Sequence, residues 1–267
     1  MNTLKFEPEG WDNEITKLDE NNWKSYKENN KTLQGLVKRC DDNYNLYISF
    51  ENGLVGKIPR EEVEAIKTGD NGLPKENLCV GKVHKFVQFK IKDIDSENEL
   101  ILSRRQVQNE AINWVKNDLE VGQKIDGIVK NIKPYGAFIE IGGGIVGLAH
   151  IEDLSVARIK TPYERLKIGQ KLEVVVKSIN RENGKVILSY KEILGSWEEN
   201  ASKFTAGTRV KGKVRETEKN KNGIFIELTP NLVGMAEYEE GLEYGQDVEV
   251  YIKKIDYDRK KVKLLIV

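Results

Sequence analysis

Apolar and polar residues alternate with a period of two over much of the chain, which is the pattern of β-strands that have one buried face. In one such run Ala137, Ile139 and Ile141 occupy one face, and Phe138 and Glu140 occupy the other. The runs are short, rich in β-branched residues and bounded by Gly, Asn or Asp, as the strands of small barrels are. We therefore predict that Ala137, Ile139 and Ile141 fill a barrel, while Phe138 and Glu140 point towards water.

The alternating pattern occurs three times along the chain. Each copy contains a four-residue motif of Gly or Asn, Leu or Ile, Val and Gly, at residues 53–56, 144–147 and 231–234. A strand-opening glycine stands 20 to 22 residues before the last glycine of each motif. Units of about 70 residues with five short strands fit small Greek-key barrels, of which the OB-fold is the commonest nucleic-acid binder. The predicted fold is all-β with connecting helices, arranged as three tandem five-stranded OB-fold barrels.

Between the barrels the apolar residues recur at spacings of three and four, which predicts helices with one apolar face. The first set is Val107, Ala111, Trp114, Val115 and Leu119, and the second is Ile193, Leu194, Trp197, Ala201 and Phe204. The two tryptophans could stack on bases, but large aromatic residues on an apolar helical face more often bury against a neighbouring element. We expect each tryptophan to pin its helix to a barrel, and the connectors to act as semi-rigid spacers.

These patterns divide the chain into six segments. In the first, a few aromatic residues stand among carboxylates, as in a mobile tail or an arm that orders on a partner. A capping box at residues 161–164, with Pro162 at the first helical position, predicts a short helix between the third and fourth strands of the middle barrel. The predicted segments are an acidic arm at 1–31, a first barrel at 32–105, a helical linker at 106–120, a middle barrel at 121–190, a second helical linker at 191–206 and a shortened third barrel at 207–267.

Composition narrows the class of protein. Of the 267 residues, 39% are hydrophobic and 32% are charged, which is typical of a globular chain. No apolar run approaches the ~20 residues of a membrane-spanning helix, and the first residues lack a secretion signal, so we expect a cytoplasmic protein. The cysteines and histidines are too few for a disulfide framework or a usual zinc site, and we expect no metal and no cofactor.

Charge and aromatic residues both single out the middle barrel. Basic and acidic residues balance at 43 each, yet residues 121–190 carry a net charge of +4, which favours a polyanionic partner. In this barrel Tyr135 precedes the strand that contains Phe138, and Gly136 between them allows a tight approach. The two rings predict a base-stacking platform, with phosphates bound by Lys130, Lys133 and Lys177. The alternative is that Phe138 packs beneath a connector helix.

The other barrels lack parts of this set. Counted from the last glycine of each motif, the positions of Phe138, Tyr135 and His150 hold Tyr47, Tyr44 and Pro59 in the first barrel and Phe225, Asn222 and Glu237 in the third. Tyr44, Tyr47 and Phe225 are therefore weaker candidates for RNA contact. Leu148 and His150 share strand parity, so one of them must leave the strand if His150 is to be exposed. A structural and a functional role for His150 both remain open.

No constellation of catalytic residues accompanies the rings. No Ser or Cys nucleophile stands at a recognisable spacing from a base and an orienting partner. A set of clustered carboxylates for two-metal phosphoryl chemistry is also missing from the sequence. We therefore expect a protein without enzymatic activity.

Three motifs of the middle barrel resemble the S1 RNA-binding domain, which is an OB-fold barrel. They are residues 136–139 (Gly-Ala-Phe-Ile), residues 147–151 (Gly-Leu-Ala-His-Ile) and residues 186–189 (Val-Ile-Leu-Ser). The resemblance covers nearly all of residues 121–190, and it implies an RNA face formed by Tyr135, Phe138, His150, Asn180 and Lys185. Asn180 departs from the acidic residue usual in the family, and the turn that follows it is one residue longer.

The first barrel resembles the opening domain of bacterial ribosomal protein S1, through residues 53–59 and 102–105. That resemblance implies attachment to the small ribosomal subunit through residues 1–105. The third barrel is a shortened, degenerate copy. The sequence thus favours a non-enzymatic protein that holds single-stranded RNA, either messenger or ribosomal, mainly on its middle barrel, in translation or mRNA handling near the ribosome. The alternatives are a protein-interaction adapter and a ribonuclease-accessory factor that use the same barrels.

Overall fold

The strands close into three five-stranded barrels in the computed structural model, which describes residues 6–19, 21–50, 53–65, 69, 71–95, 99–217 and 223–267. The first barrel consists of β1 Leu33–Cys40, β2 Leu46–Ser49, β3 Val55–Ile58, β4 Phe86–Ile94 and β5 Leu100–Ser103. The middle barrel consists of β6 Lys124–Lys133, β7 Gly136–Gly142, β8 Ile145–His150, β9 Lys171–Asn180 and β10 Lys185–Ser189. The third consists of β11 Arg209–Thr217, β12 Ile224–Thr229, β13 Leu232–Ala236, β14 Asp247–Asp256 and β15 Lys261–Ile266.

All three barrels share one topology. The first strand pairs antiparallel with the second and the fourth, and the third strand pairs parallel with the fifth. This arrangement closes each sheet and leaves no unpaired edge. The prediction of three tandem OB-fold barrels is confirmed. The helices of the described residues are α1 Trp23–Glu28, α2 Glu76–Val80, α3 Arg104–Asn117 and α4 Trp197–Ala201, and none of them is long and apolar enough to cross a bilayer.

Alternation correctly predicted the inward face of the middle barrel. Ala137, Ile139 and Ile141 are each at most 1% exposed and belong to its core. The capping box at Thr161 is also present, and it opens a single 3₁₀ turn at Pro162–Glu164, so the short helix predicted there is confirmed as one turn.

Helix α3 connects the first and the middle barrel and packs against strands of both. Ser103 caps its first turn by accepting a hydrogen bond from the Gln106 amide. The predicted apolar face is buried, and Trp114, 5% exposed, packs in the core of the middle barrel with its ring 5.4 Å from that of Phe6. At the other end of α3, the guanidinium of Arg181 donates to the carbonyls of Val115, Lys116 and Leu119. The expected connector thus does more than separate two barrels, because its apolar face completes the core of the middle one.

The acidic arm lies against the chain's own barrels. Leu18 is 1% exposed in the core of the first barrel, and Trp23 and Tyr26 pack at the edge of that core. Nearer the start of the arm, the Glu9 amide donates to both carboxylate oxygens of Glu140, at 2.9 and 3.0 Å. The expectation of a mobile tail is therefore wrong for the described part of this segment. Glu140, predicted to point towards water, is 1% exposed because the arm covers it.

A buried ionic cluster joins the arm, the first barrel and the middle barrel. Arg104, 1% exposed, lies 2.6 Å from a Glu9 carboxylate oxygen and 3.0 Å from one of Glu64. Burial acts to raise the pKa of Glu9, but Arg104 and Lys82 outweigh it and hold that pKa at about 2. Burial and the neighbouring Glu9 raise the pKa of Glu140. We call Arg104, Glu9, Glu64 and Glu140 the Arg104 cluster.

A second polar interface joins the middle and third barrels. Arg215 binds both Glu164 and Glu227, and Arg165 lies 2.6 Å from Glu227. The Ala157 amide donates to the Pro230 carbonyl at 2.9 Å. In the linker, Trp197 packs against the core of the third barrel, and its ring meets that of Tyr257 edge-on at 5.5 Å. The prediction that the linker tryptophans pin their helices to barrels is confirmed for both.

Candidate nucleic-acid interface

A continuous outer face runs across four strands of the middle barrel. Phe138 on β7 pairs with Leu148 on β8, Leu148 pairs with Ile187 on β10, and Ile187 pairs with Ser178 on β9. The first three side chains are half-buried, and Ser178 is exposed. Neighbouring strands are ~4.8 Å apart, so this row spans about 14 Å. We call it, with the side chains that flank it on the same face, the outer face.

Two aromatic rings stand together at one end of the outer face. Tyr135 is 50% exposed, and its ring meets that of Phe138 edge-on, with centroids 6.1 Å apart and planes at 82°. Phe138 lies outside the barrel core, so it does not pack beneath a connector helix. Gly136 is required between them, because an added Cβ would collide with the Ala149 carbonyl of the paired strand. The prediction that Phe138 points outward is confirmed.

His150 lies beside the rings and is exposed. It is the last residue of β8, opposite Gly136, and its side chain is 45% exposed. The Nδ1 atom is 3.7 Å from a carboxylate oxygen of Glu152, which is itself 85% exposed, so the imidazole is held only loosely. The Ile151 amide donates to the Tyr135 carbonyl at 2.9 Å and fixes the two chain segments next to each other.

Leu148 belongs to this face too, which corrects the parity argument. It points outward with His150, and neither residue has to leave the strand. The inward positions of β8 are Ile145, Gly147 and Ala149, and Leu188 fills the space that a side chain at Gly147 would need. The small inward residues on either side of Leu148 were the sequence signal that would have placed Leu148 outside. Val146 and Ile187, which alternate with buried residues on their own strands, were also missed.

The predicted lysines divide into two groups. Lys133 is exposed on β6 opposite Gly136, next to the rings. Lys177 is 49% exposed, but its ammonium is 2.7 Å from Asp153. Burial acts to raise the pKa of Asp153, yet hydrogen bonds from Lys177 and Lys191 keep that pKa below its ordinary value.

Lys130 is turned towards the arm instead. Its ammonium is 2.9 Å from Glu140 and 2.9 Å from the Glu9 carbonyl oxygen. The structure thus does not bring Lys130 to the rings, because the buried Glu140 carboxylate needs a cation at this place.

Asn180 and Lys185 lie at the far end of the outer face. They pair across the β9–β10 turn, and Lys185 is exposed two residues before Ile187, about 7 Å along the strand. The Asn180 side-chain oxygen accepts from the amides of Glu182 and Asn183, at 3.0 and 3.1 Å. This oxygen therefore holds the turn, as the side-chain oxygen of Asn or Asp commonly does.

The weaker candidates are placed less favourably. Tyr47 is 9% exposed, the Arg39 guanidinium lies 3.5 Å from its ring centroid, and its hydroxyl donates to Asp41 at 3.1 Å. Tyr44 has the Arg60 guanidinium 4.7 Å from its ring centroid. An arginine of the chain itself thus lies on each of these two rings of the first barrel.

In the third barrel, Phe225 points outward and pairs with Met235, which is 46% exposed. Glu237 holds the position of His150, and its carboxylate is 89% exposed. Asn222, at the position of Tyr135, lies outside the described residues. Among the described residues, no group of three or more His, Cys, Asp or Glu side chains is placed to hold a metal ion.

Comparison with known proteins gives one family match and several relatives. Residues 118–191 match the model of the S1 RNA binding domain. The small ribosomal subunit protein bS1 of Neisseria meningitidis is 34% identical over 199 residues, which are 67% of this chain and 35% of that protein. The bS1 of Chlamydia trachomatis is 32% identical over 236 residues, 84% of this chain and 40% of that protein.

A third relative carries the name of an enzyme. The 4-hydroxy-3-methylbut-2-enyl diphosphate reductase of Clostridium acetobutylicum is 30% identical over 265 residues, 92% of this chain and 40% of that protein. The chain therefore spans 40% or less of the length of each of these three relatives.

Proposed function

The chain belongs, through residues 118–191, to the S1 RNA-binding domain family, and from this premise we propose that it holds single-stranded RNA on the outer face of its middle barrel. The family match also confirms the predicted resemblance. The Tyr135–Phe138 pair beside His150 is the observation that carries the proposal. Bases of a duplex are stacked inside it, whereas an unpaired base can splay out and stack on such rings. The surface therefore suits single-stranded RNA.

The rings and the charges both contribute to the proposed binding. A base stacked on an aromatic ring contributes ~1–3 kcal/mol. Of the cations near the face, Lys133 and Lys185 are exposed, while Asp153 already holds the ammonium of Lys177. We expect two or three phosphate contacts, from Lys133, Lys185 and, in part, Lys177.

The test is a salt titration of the full chain with a short unstructured RNA. Each neutralised phosphate of a single strand lowers the slope of log affinity against log salt by about 0.7, so two or three contacts give a slope of about −1.4 to −2.1. A duplex RNA of the same length serves as the control and should bind more weakly. Absence of RNA binding even at low salt would contradict the proposal and favour the adapter hypothesis.

We further propose a place near the ribosome, with residues 1–105 as the attachment to the small subunit. Two relatives are named as small ribosomal subunit proteins, and the two rings of the first barrel already carry arginines of the chain, which leaves that barrel free for another contact. The name of the enzyme relative gives no reason to propose a reaction, since this chain covers 40% of that protein. We therefore propose a non-enzymatic role.

This attachment predicts that RNA binding and ribosome binding separate. The full-length Phe138→Ala variant should co-sediment with small ribosomal subunits about as well as the unaltered chain, because the substitution leaves residues 1–105 intact. Sedimentation through a sucrose cushion, followed by quantification of the pellet, measures this. Loss of the variant from the pellet would show that the middle barrel makes the attachment.

A further inference from the structure

A basic cleft lies between the arm, the first barrel and the middle barrel. Its volume is about 570 Å³. Val146, at its edge, is 38% exposed and belongs to the outer face. On β8 it lies two residues before Leu148, about 7 Å away along the strand. The cleft therefore begins where the outer face ends, on the side away from His150.

Cations outnumber carboxylates around the cleft. Its lining includes the carboxylates Glu9 and Glu140, and the basic side chains Lys82, Lys85, Arg104, Lys130 and Lys171. Glu64 lies behind Arg104 at 3.0 Å and offsets one further charge. The surroundings remain net positive, and both lining carboxylates are buried, so the charges that face the opening are mainly those of the lysines.

The wall from the first barrel presents its cations on a fixed turn. His84 and Lys85 are exposed and immediately precede β4. The His84 amide donates to the Val37 carbonyl at 2.9 Å, and the Lys85 amide donates to the Lys82 carbonyl at 3.0 Å. His84 has φ +60°, a left-handed conformation that His adopts more readily than most residues other than glycine. These hydrogen bonds direct the two side chains to the cleft that they line.

The wall of the cleft from the middle barrel carries Lys171. Lys171 is held by the Trp11 carbonyl and lies 5.6 Å from the centroid of the Trp11 ring. Because Leu148 pairs with Ile187 in the parallel ladder of β8 and β10, Lys185 stands at the level of Val146 along the strands. A negatively charged strand that leaves Leu148 towards Val146 would thus pass Lys185 and then enter between Lys171 and Lys85.

We propose that this cleft binds the sugar–phosphate backbone of the RNA segment that leaves the outer face, so that one RNA strand contacts both the middle and the first barrel. The inference rests on the proposed function of the outer face, and it adds a second site with a different chemistry. The outer face binds bases by stacking, whereas the cleft binds phosphates by charge and carries no base preference. The first barrel then contributes to RNA binding through this edge, although an arginine lies on each of its two candidate rings.

The experiment compares oligouridylates of about 4 and about 12 nucleotides, since a single OB-fold covers ~4–16 nucleotides. The full-length double variant His84→Asn/Lys85→Gln removes the two exposed basic side chains with which the first barrel lines the cleft. Asn is chosen because it tolerates positive φ, and Lys253→Gln, an exposed lysine on the third barrel, is the matched control for charge. Affinity is measured by fluorescence anisotropy across a salt series.

We expect the double variant to bind the longer RNA about fivefold more weakly at 0.1 M salt for each phosphate that it no longer neutralises, with a salt slope smaller by about 0.7. Its affinity for the shorter RNA should match that of the unaltered chain, and Lys253→Gln should change neither. If the double variant and the unaltered chain bind the longer RNA with equal affinity and equal salt slope, the proposed binding by the cleft is wrong. The proposed function of the outer face would not be affected by that result. Failure of the unaltered chain to bind either RNA would overturn the proposed function and the cleft with it.

Discussion

Replacing Arg104 with Ala is expected to lower the free energy of unfolding by about 3–5 kcal/mol. Arg104 is the most deeply buried cation beside the carboxylates of the Arg104 cluster, and it faces Glu9 at 2.6 Å and Glu64 at 3.0 Å while 1% exposed. Removing it leaves two carboxylates buried with Lys82 alone nearby, at 4.0 and 3.9 Å. The cost comes mainly from these unpaired charges, because deleting one partner of a buried pair is far more destabilising than the pair is stabilising.

Denaturant unfolding of the full chain measures this loss, with Arg105→Ala as the matched control. Arg105 is the next residue of α3 and is exposed, and one long hydrogen bond of 3.4 Å joins it to the Glu61 carbonyl. A second comparison identifies the cause. The triple variant Glu9→Gln/Glu64→Gln/Arg104→Met carries no unpaired charge at these three positions and should be more stable than Arg104→Ala. A loss for Arg104→Ala no larger than that for Arg105→Ala would contradict the ionic role of the cluster.

The sequence predicted the barrels because their signals are local. Period-two alternation fixes which side chains of β7 point inward, and capping residues mark the turn at Pro162. The apolar spacing on α3 predicted its buried face equally well, including Trp114. Each of these predictions needs only neighbouring residues and the geometry of one element.

What covers an outward face could not be predicted in this way. Glu140 points out of its barrel as alternation requires, yet it is buried by Glu9, which stands 131 residues earlier in the chain. The same holds for Tyr47, whose ring lies beneath Arg39, and for Lys130, whose ammonium is bound by Glu140. Such packing depends on how the arm and barrels come together, and the pattern of one strand carries no information about that.

The sequence predicted only part of the candidate site, because only some of its residues are placed by local strand pairing. Tyr135, Phe138 and His150 are brought together by the pairing of β7 with β8, which the order of strands in an OB-fold already implies. Lys130 was included in the predicted site because it is close in sequence to Tyr135 and Phe138. Closeness in sequence does not determine the side of a β-bulge to which a side chain points. The ladder is irregular between Val129 and Asn131, and Lys130 lies at that irregularity.

Phe138→Ala is expected to lower the affinity for single-stranded RNA by about 1–3 kcal/mol, a factor of roughly five to more than a hundred, and to leave the melting temperature nearly unchanged. The ring lies on the outer face, outside the barrel core, and meets Tyr135 edge-on at 6.1 Å. Removing it takes away one stacking surface and leaves the packing of the core intact. Titration of the full-length variant with an unstructured RNA at fixed salt, preceded by a thermal melt, measures both quantities.

Two controls separate stacking from packing. Ile139→Ala, at the neighbouring position that is 0% exposed, should lower stability by about 2–5 kcal/mol. Phe138→Leu keeps apolar volume on the outer face without a π-system, so it should bind RNA nearly as weakly as Phe138→Ala, whereas Phe138→Trp should retain binding. If Phe138→Ala instead melts like Ile139→Ala and binds RNA normally while folded, the ring is structural. The middle barrel would then have to hold RNA by Lys133, Lys185 and the lysines of the cleft alone.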